Sequence, residues 1–192
     1  STLGLEPAIP MFAWSRQVAP EAVYVGGQVE LIPFCNDSFD LITAAGSLNY
    51  ADLPRAFAEI ARVLRPAGSF FLYDFSTGRS LKDSDRLDRW FDTFLARFPA
   101  AKDSWKEITQ ATLLQESNPL RLLSFRPFTT DLMYDLDSYM DYLMTETNVA
   151  QAISEGHTEA AIRSWCRHTL VEIFGMKSLP VQFRGYIAHL IR

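Results

Sequence analysis

Glu6 closes a short apolar run, Thr2 to Leu5, and is followed at once by Pro7. An acidic side chain at the end of a strand in a doubly wound sheet can accept hydrogen bonds from both ribose hydroxyls of a nucleotide cofactor; the same residue type also serves there as a solvated turn residue. His157, His168 and His189 fall at no spacing that would bring three or four donors onto a zinc ion, so they read as surface or packing residues. Cys35 and Cys166 are far apart in sequence. One disulfide between them stays open, but the pattern reads as a reduced, cytoplasmic chain.

The elements that must position these residues follow from hydrophobic periodicity. Thr2–Leu5 and Ala22–Val25 are short β-rich runs separated by a helical stretch at Met11–Gln17, which Pro20 ends. Ser38 to Gly46 is a continuous apolar run with a polar entry, as expected for a strand buried on both faces of a parallel sheet. From Asp52 to Leu64, apolar residues at 53, 57, 60, 61 and 64 share one helical face, with Asp52 as N-cap and Pro54 in the first turn. Arg65-Pro66-Ala67-Gly68 ends that helix, and Ser69–Phe75 is a second buried strand. This alternation predicts an α/β fold with a largely parallel sheet.

Beyond Thr77 the pattern changes. Arg86–Phe98 is an aromatic-rich amphipathic helix, Trp105–Leu114 reads as either helix or strand, and Leu120–Phe128 and Thr130–Leu136 read as strands. The stretch is too long for a loop and is expected to form an inserted cap. Helices are expected at Ser138–Glu155 and Thr158–Phe174, then two β-rich runs around Arg184-Gly185 forming a terminal antiparallel pair.

The chain has 192 residues, 48% of them hydrophobic, which suits one globular core with a small appended cap. Its net charge of −5, without a run of Lys or Arg, argues against nucleic acid as a partner. No apolar run approaches the roughly 20 residues that span a bilayer, so no membrane partner is expected. The chain starts on Ser1 without a signal-peptide pattern, and the expectation is that it begins inside a longer gene product.

The decisive signal is an ordered succession. Gly27-Gln28-Val29-Glu30-Leu31-Ile32-Pro33-Phe34 precedes Ser38-Phe39-Asp40-Leu41-Ile42, then Ser47-Leu48-Asn49-Tyr50, then Glu59-Ile60-Ala61-Arg62-Val63-Leu64 and Arg65-Pro66-Ala67-Gly68. This order resembles the class I S-adenosylmethionine-dependent methyltransferases. Their strings run Gly-Asp-Ala-Glu-x-Leu-Pro-Phe, Ser-Phe-Asp-Leu-Val and Glu-x-x-Arg-Val-Leu-Arg-Pro-Gly-Gly. A weaker likeness continues through Asp141–Met144, Asn148–Ile153, Trp165–Phe174 and Val181–Ala188, leaving 80–135 loosely matched.

The resemblance implies a Rossmann-like, doubly wound, mostly parallel sheet with antiparallel C-terminal strands and an inserted cap. Residues 1–78 would be the cofactor-binding part, 79–137 the substrate cap, and 138–192 the helices and strands completing the core. S-adenosyl-L-methionine is the implied cofactor. Glu6 would hold the ribose and Pro7 would contact adenine. Gln28 would accept a hydrogen bond from the adenine amino group, and the Val29 backbone amide would read a ring nitrogen. Ala44 and Ala45 would face the methionine half, while Asn49 and Tyr50 would orient the methyl acceptor, expected to be a small molecule. Arg79 would either hold an acceptor carboxylate or form a surface ion pair. The family's glycine-rich loop and its strand have no counterpart, so a first βα unit is expected to be missing. Its absence would leave a gap in the sheet or force the flanking strands together, and the chain alone would bind cofactor poorly and be inactive. A non-catalytic binding module and a nucleotide-cofactor oxidoreductase are the alternative readings.

Overall fold

The computed structural model describes residues 2–100 and 105–192. Its elements are β1 (Leu3–Glu6), α1 (Ile9–Val18), β2 (Val23–Gly26), β3 (Phe39–Ala45), a 3-10 turn (Leu48–Tyr50), α2 (Leu53–Val63), β4 (Leu64–Phe75), β5 (Ser80–Leu81) and α3 (Arg86–Arg97). There follow α4 (Gln110–Leu113), β6 (Arg121–Tyr134), α5 (Leu136–Leu143), α6 (Thr147–Ser154), α7 (Glu159–Phe174) and β7 (Leu179–Ile191). The strands fall into two sheets. β1 and β2 form a parallel pair, and a second sheet has the order β3-β4-β7-β5, with β6 also pairing β7. β3 and β4 are parallel, and β5 and β7 antiparallel. The result is the expected α/β, Rossmann-like class of fold. Among the described residues no helix is long and apolar enough to cross a membrane.

One compact unit comprises Ser1–Asp74, Lys106–Arg126 and Ile187–Arg192; the other comprises Phe75–Trp105 and Pro127–Tyr186. The 79–137 stretch is therefore divided between the two. In the first unit, α2 carries the core. Asp52 caps it by accepting the Arg55 amide at 3.3 Å, and Ala56, Phe57, Ile60 and Ala61 are buried on one face. Burying side chains such as Phe57 and Ile60 stabilises the fold by about 2 kcal/mol each. They lie in the same core as Phe70 and Leu72 of β4 and Leu190 of β7.

β3 departs from the expectation of two-sided burial. Its parallel register sets Ile42 beside Phe70 and Ala44 beside Leu72, and this face is covered. The alternate residues pair Leu41 with Ser69 and Ala45 with Tyr73, and this face is open: Leu41 is 55% exposed. β3 also ends the strand order, so one of its backbone edges has no neighbour in that sheet. An unbroken apolar run cannot reveal which side a helix will cover.

Between α2 and the paired part of β4, Arg65–Gly68 bulges out, since the register jumps from Phe39↔Leu64 to Leu41↔Ser69. The turn requires a left-handed residue, and Ala67 sits there at φ 64°. A Cβ on Gly68 would lie 2.8 Å from the Arg65 carbonyl oxygen, so that position admits only glycine. The turn is pinned by Arg65, which bonds both Asp40 carboxylate oxygens at 2.7 Å and the Asp37 carbonyl at 3.1 Å.

The second unit is packed on aromatic rings. Trp90, Phe91 and Phe94 of α3 share a core with Tyr139 of α5, Phe174 of α7 and Phe183 of β7. The Trp90 indole donates to Thr169 Oγ1 at 2.8 Å, and the buried Asn148 amide donates to the Phe98 carbonyl at 2.9 Å. Three expectations are corrected here. The helix expected at Ser138–Glu155 is two helices, because the Thr145 hydroxyl takes the Tyr142 carbonyl at 2.7 Å and interrupts the ladder. The two strands expected between Leu120 and Leu136 are one, β6. The terminal antiparallel pair is likewise one strand, β7, since Gly185 is absent from the positive-φ glycines and the chain runs through it without turning.

Ala67 is strained where glycine would not be. We expect Ala67→Gly to stabilise the fold by up to about 1 kcal/mol, the left-handed penalty less glycine's greater unfolded-state entropy. A denaturant titration showing a higher midpoint at unchanged slope would bear this out.

Candidate cofactor site

The register of β1 and β2 places Glu6 opposite Gly26, so both strands reach their carboxyl ends together. The Gly27 amide donates to the Glu6 carbonyl at 3.3 Å, extending the pairing by one residue. Glu6 Oε1 accepts the Ala8 amide at 2.8 Å, which holds the carboxylate at the mouth of the strand pair. Gln28 is exposed and Val29 half-buried in the turn that follows, closed by Leu31 N–H donating to the Gln28 carbonyl at 3.1 Å. Glu6, Pro7, Gln28 and Val29 thus gather at one end of one small sheet.

The loop that continues from Gln28 is fastened to α2. Glu30 Oε1 accepts the Asp52 amide at 2.9 Å, and Glu59 Oε2 accepts the Ile32 amide at 2.8 Å. Arg62 pairs with both Glu59 oxygens at 2.7 Å and donates to the Ile32 and Phe34 carbonyls at 2.9 and 2.8 Å. The Arg62 hydrogen bond holds the Glu59 carboxyl below the ordinary carboxylate range, and Glu59 raises the guanidinium in turn.

At the end of β3, Ala44 is half-buried and Ala45 exposed, and the chain turns at Gly46, φ 55°. A Cβ there would meet Asp74 Oδ1 at 3.1 Å, while the Gly46 amide donates to the Tyr73 carbonyl at 3.0 Å. Asn49 and Tyr50 lie on the next turn and part company. Asn49 is 1% exposed, and its side-chain amide donates to the Lys106 carbonyl at 3.0 Å while its own carbonyl accepts the Lys106 amide at 2.8 Å. Its task in this geometry is to hold the Lys106 backbone. Tyr50 is 55% exposed.

Residues 1–72 match the methyltransferase domain family. Over that stretch the chain is similar to methyltransferase domains. A phthiotriol/phenolphthiotriol dimycocerosates methyltransferase of Mycobacterium leprae is 36% identical over 89 residues, covering 46% of this chain and 31% of that protein. A ubiquinone/menaquinone biosynthesis C-methyltransferase of Methylobacterium nodulans is 39% identical over 75 residues, covering 38% of this chain and 28% of that protein. A solved structure, of a proposed type II methyltransferase from Anaeromyxobacter dehalogenans, superposes with TM-score 0.68 at 20% identity, covering 98% of this chain and 78% of the other. At that identity the likeness carries the fold. The matched stretch is under a third of the length of either curated relative.

Within the matched stretch, the adenosine-side candidates cluster at the end of β1 and β2, whereas Ala44 and Ala45 end a strand of the other sheet. Three residues gained a role that sequence reasoning did not give them. Gly46 is required by its positive φ, a feature an Ala-Ala-Gly strand end hints at. Glu59 and Arg62 read as part of a helix motif, although their i, i+3 spacing is that of a helical ion pair. Among the described residues no three His, Cys, Asp or Glu side chains converge as metal ligands. Both cysteines are free; burial pushes the Cys166 thiol up to about 12.

The second unit, taken by itself, holds a different polar cluster. Arg79 pairs with Asp88 and Asp92 and stacks over Phe91, which is the ion-pair alternative of its two readings. Tyr142 accepts the Gly78 amide at 3.0 Å, Tyr139 donates to the Gly78 carbonyl at 2.7 Å, and Glu146 bonds the Tyr142 hydroxyl and Thr77. Burial raises the Glu146 pKa against these hydrogen bonds.

Two pH predictions of opposite sign follow. Glu59 is depressed in the fold, so its contribution is present above its unfolded pKa, about 4.3, and is lost as pH falls through the folded value. Glu59→Gln should therefore cost stability at neutral pH and flatten the acid limb. Glu146 is raised, so the fold binds its proton more tightly and stability falls as pH rises from the unfolded value through the folded one. Glu146→Gln keeps a hydrogen-bonding amide and should be more stable than the parent at neutral pH, with the difference closing toward pH 4. Thermal melts across pH 3.5 to 8 read both.

Proposed function

We propose that this chain supplies the adenosine-binding part of an S-adenosylmethionine-dependent methyltransferase acting on a small-molecule acceptor in the cytoplasm. The observation that supports the reading is the β1–β2 register, which pairs Glu6 with Gly26 at the strand end that leads into the Gln28–Val29 turn. A carboxylate suits the two ribose hydroxyls, because an ionised acceptor makes the stronger hydrogen bonds. The exposed Gln28 amide offers a carbonyl for the adenine amino group, and Val29 offers its backbone N–H. Ala44, Ala45 and Gly46 would line the methionine half with backbone, their small side chains allowing close approach.

The sulfonium of S-adenosylmethionine supplies an already activated methyl group for in-line displacement. The protein's work is alignment, with deprotonation where the acceptor requires it. Tyr50 would orient an acceptor, and Asn49 would hold the turn that carries it. The cap segment, 79–137, would select the acceptor. Ubiquinone/menaquinone and phthiotriol/phenolphthiotriol dimycocerosates in the relatives' names favour an apolar small molecule.

Saturation-transfer NMR with S-adenosylhomocysteine tests this. The adenine H2 and H8 and ribose H1′ should receive the strongest saturation. Glu6→Ala should weaken binding about tenfold or more, the worth of charge-assisted hydrogen bonds. No saturation of adenine protons at millimolar ligand would overturn the reading.

A further inference from the structure

Arg62 has five N–H donors, and the fold uses all five. Nε and one Nη2 hydrogen go to the two Glu59 oxygens at 2.7 Å, and the other Nη2 hydrogen goes to the Ile32 carbonyl at 2.9 Å. Nη1 reaches the Phe34 carbonyl at 2.8 Å and Asn36 Oδ1 at 3.0 Å. Glu59 Oε2 in turn accepts the Ile32 amide, so the Ile32 residue is gripped at both its N–H and its C=O. The Arg62 carbonyl also accepts the Asp37 amide at 3.1 Å. A loop of this length would otherwise sample many backbone states, and each fixed residue costs about 1–2 kcal/mol of entropy. One helix turn of α2 removes that freedom before any ligand arrives.

The clamped segment begins at Glu30, directly after Gln28 and Val29. We propose that the Glu59–Arg62 pair is a positioning device for base recognition: it sets the backbone of the 28–34 loop so that the Gln28 carbonyl and Val29 amide meet an adenine edge. This rests on the cofactor reading above. The pair touches no ligand; it acts through Ile32 and Phe34. A lysine cannot replace Arg62, because a point charge with three donors cannot reach five acceptors in a planar fork.

The test compares S-adenosylhomocysteine with S-inosylhomocysteine, in which an oxo group replaces the adenine amino group. Affinities come from chemical-shift titration of the full chain. The native protein should prefer the adenosyl ligand about five- to tenfold, the worth of one amide hydrogen bond. Arg62→Ala should bring that ratio close to one, Arg62→Lys should leave it about twofold, and Glu59→Gln should fall between. General loosening would weaken both ligands equally and keep the ratio. A native ratio near one sinks the cofactor reading of the loop. A native preference that survives in Arg62→Ala overturns the positioning role alone. Should Arg62→Ala fail to fold, Glu59→Gln decides by the same ratio.

Discussion

The guanidinium of Arg62 joins α2 to the loop that runs from Ile32 to Asn36. Strand β2 leads out of one sheet and β3 belongs to the other, and the loop between them carries the Phe34 carbonyl, to which Arg62 donates, and the Ile32 carbonyl, which Arg62 shares with the Phe34 amide. A buried or half-buried carbonyl left unpaired costs about 1–3 kcal/mol. A helix that packs its apolar face inward can offer such donors only from its flank. Arginine, with a flat fork and a stem that lies along the surface, is the side chain that can do so several times over. Glu59 one turn earlier aligns the fork and neutralises it. The loop's path, and with it the place of Gln28 and Val29, depends on that pair.

The same helix sets the strand that follows. α2 passes directly into β4, and the amides of Asp37 and Ser38 bond the Arg62 and Val63 carbonyls, so the helix end and the start of β3 are tied together. The chain must then reverse within Arg65–Gly68 before the parallel pairing resumes at Ser69. Ala67 takes the left-handed conformation that this reversal demands. The strain is local and is held by Arg65 on Asp40 and by the Arg192 amide on the Gly68 carbonyl at 3.3 Å. Arg192 also bonds Asp37 and the Leu64 carbonyl through its guanidinium. Strain tolerated at a turn is possible because the flanking pairing over-determines it.

The aromatic residues of the second unit serve packing before anything else. Trp90, Phe94, Trp165 and Phe98 contact one another ring to ring, and Tyr139 stacks on Phe174. Their hydroxyl and indole groups are used inward, on Gly78 and Thr169.

The strings around Glu6, Gln28–Phe34, Ser38–Ile42 and Glu59–Gly68 were enough, as sequence, to point to the methyltransferase domain family that residues 1–72 match. Local order made this legible: a strand end, a cap such as Asp52 and a helix face at 53, 57, 60 and 61 are written in nearest neighbours. What tertiary structure alone decided is which groups those strings hold in place. Leu41 faces outward because one sheet face lacks a cover in its unit, and Asn49 turns inward because Lys106, distant in sequence, presents a carbonyl to it. Gly185 extends rather than turns because strand pairing on both sides of β7 outweighs its freedom. Arg62 reaches Ile32 and Phe34 across some thirty residues of chain. Such hydrogen bonds between remote groups leave no periodicity in the sequence, since their partners are chosen by packing and not by spacing.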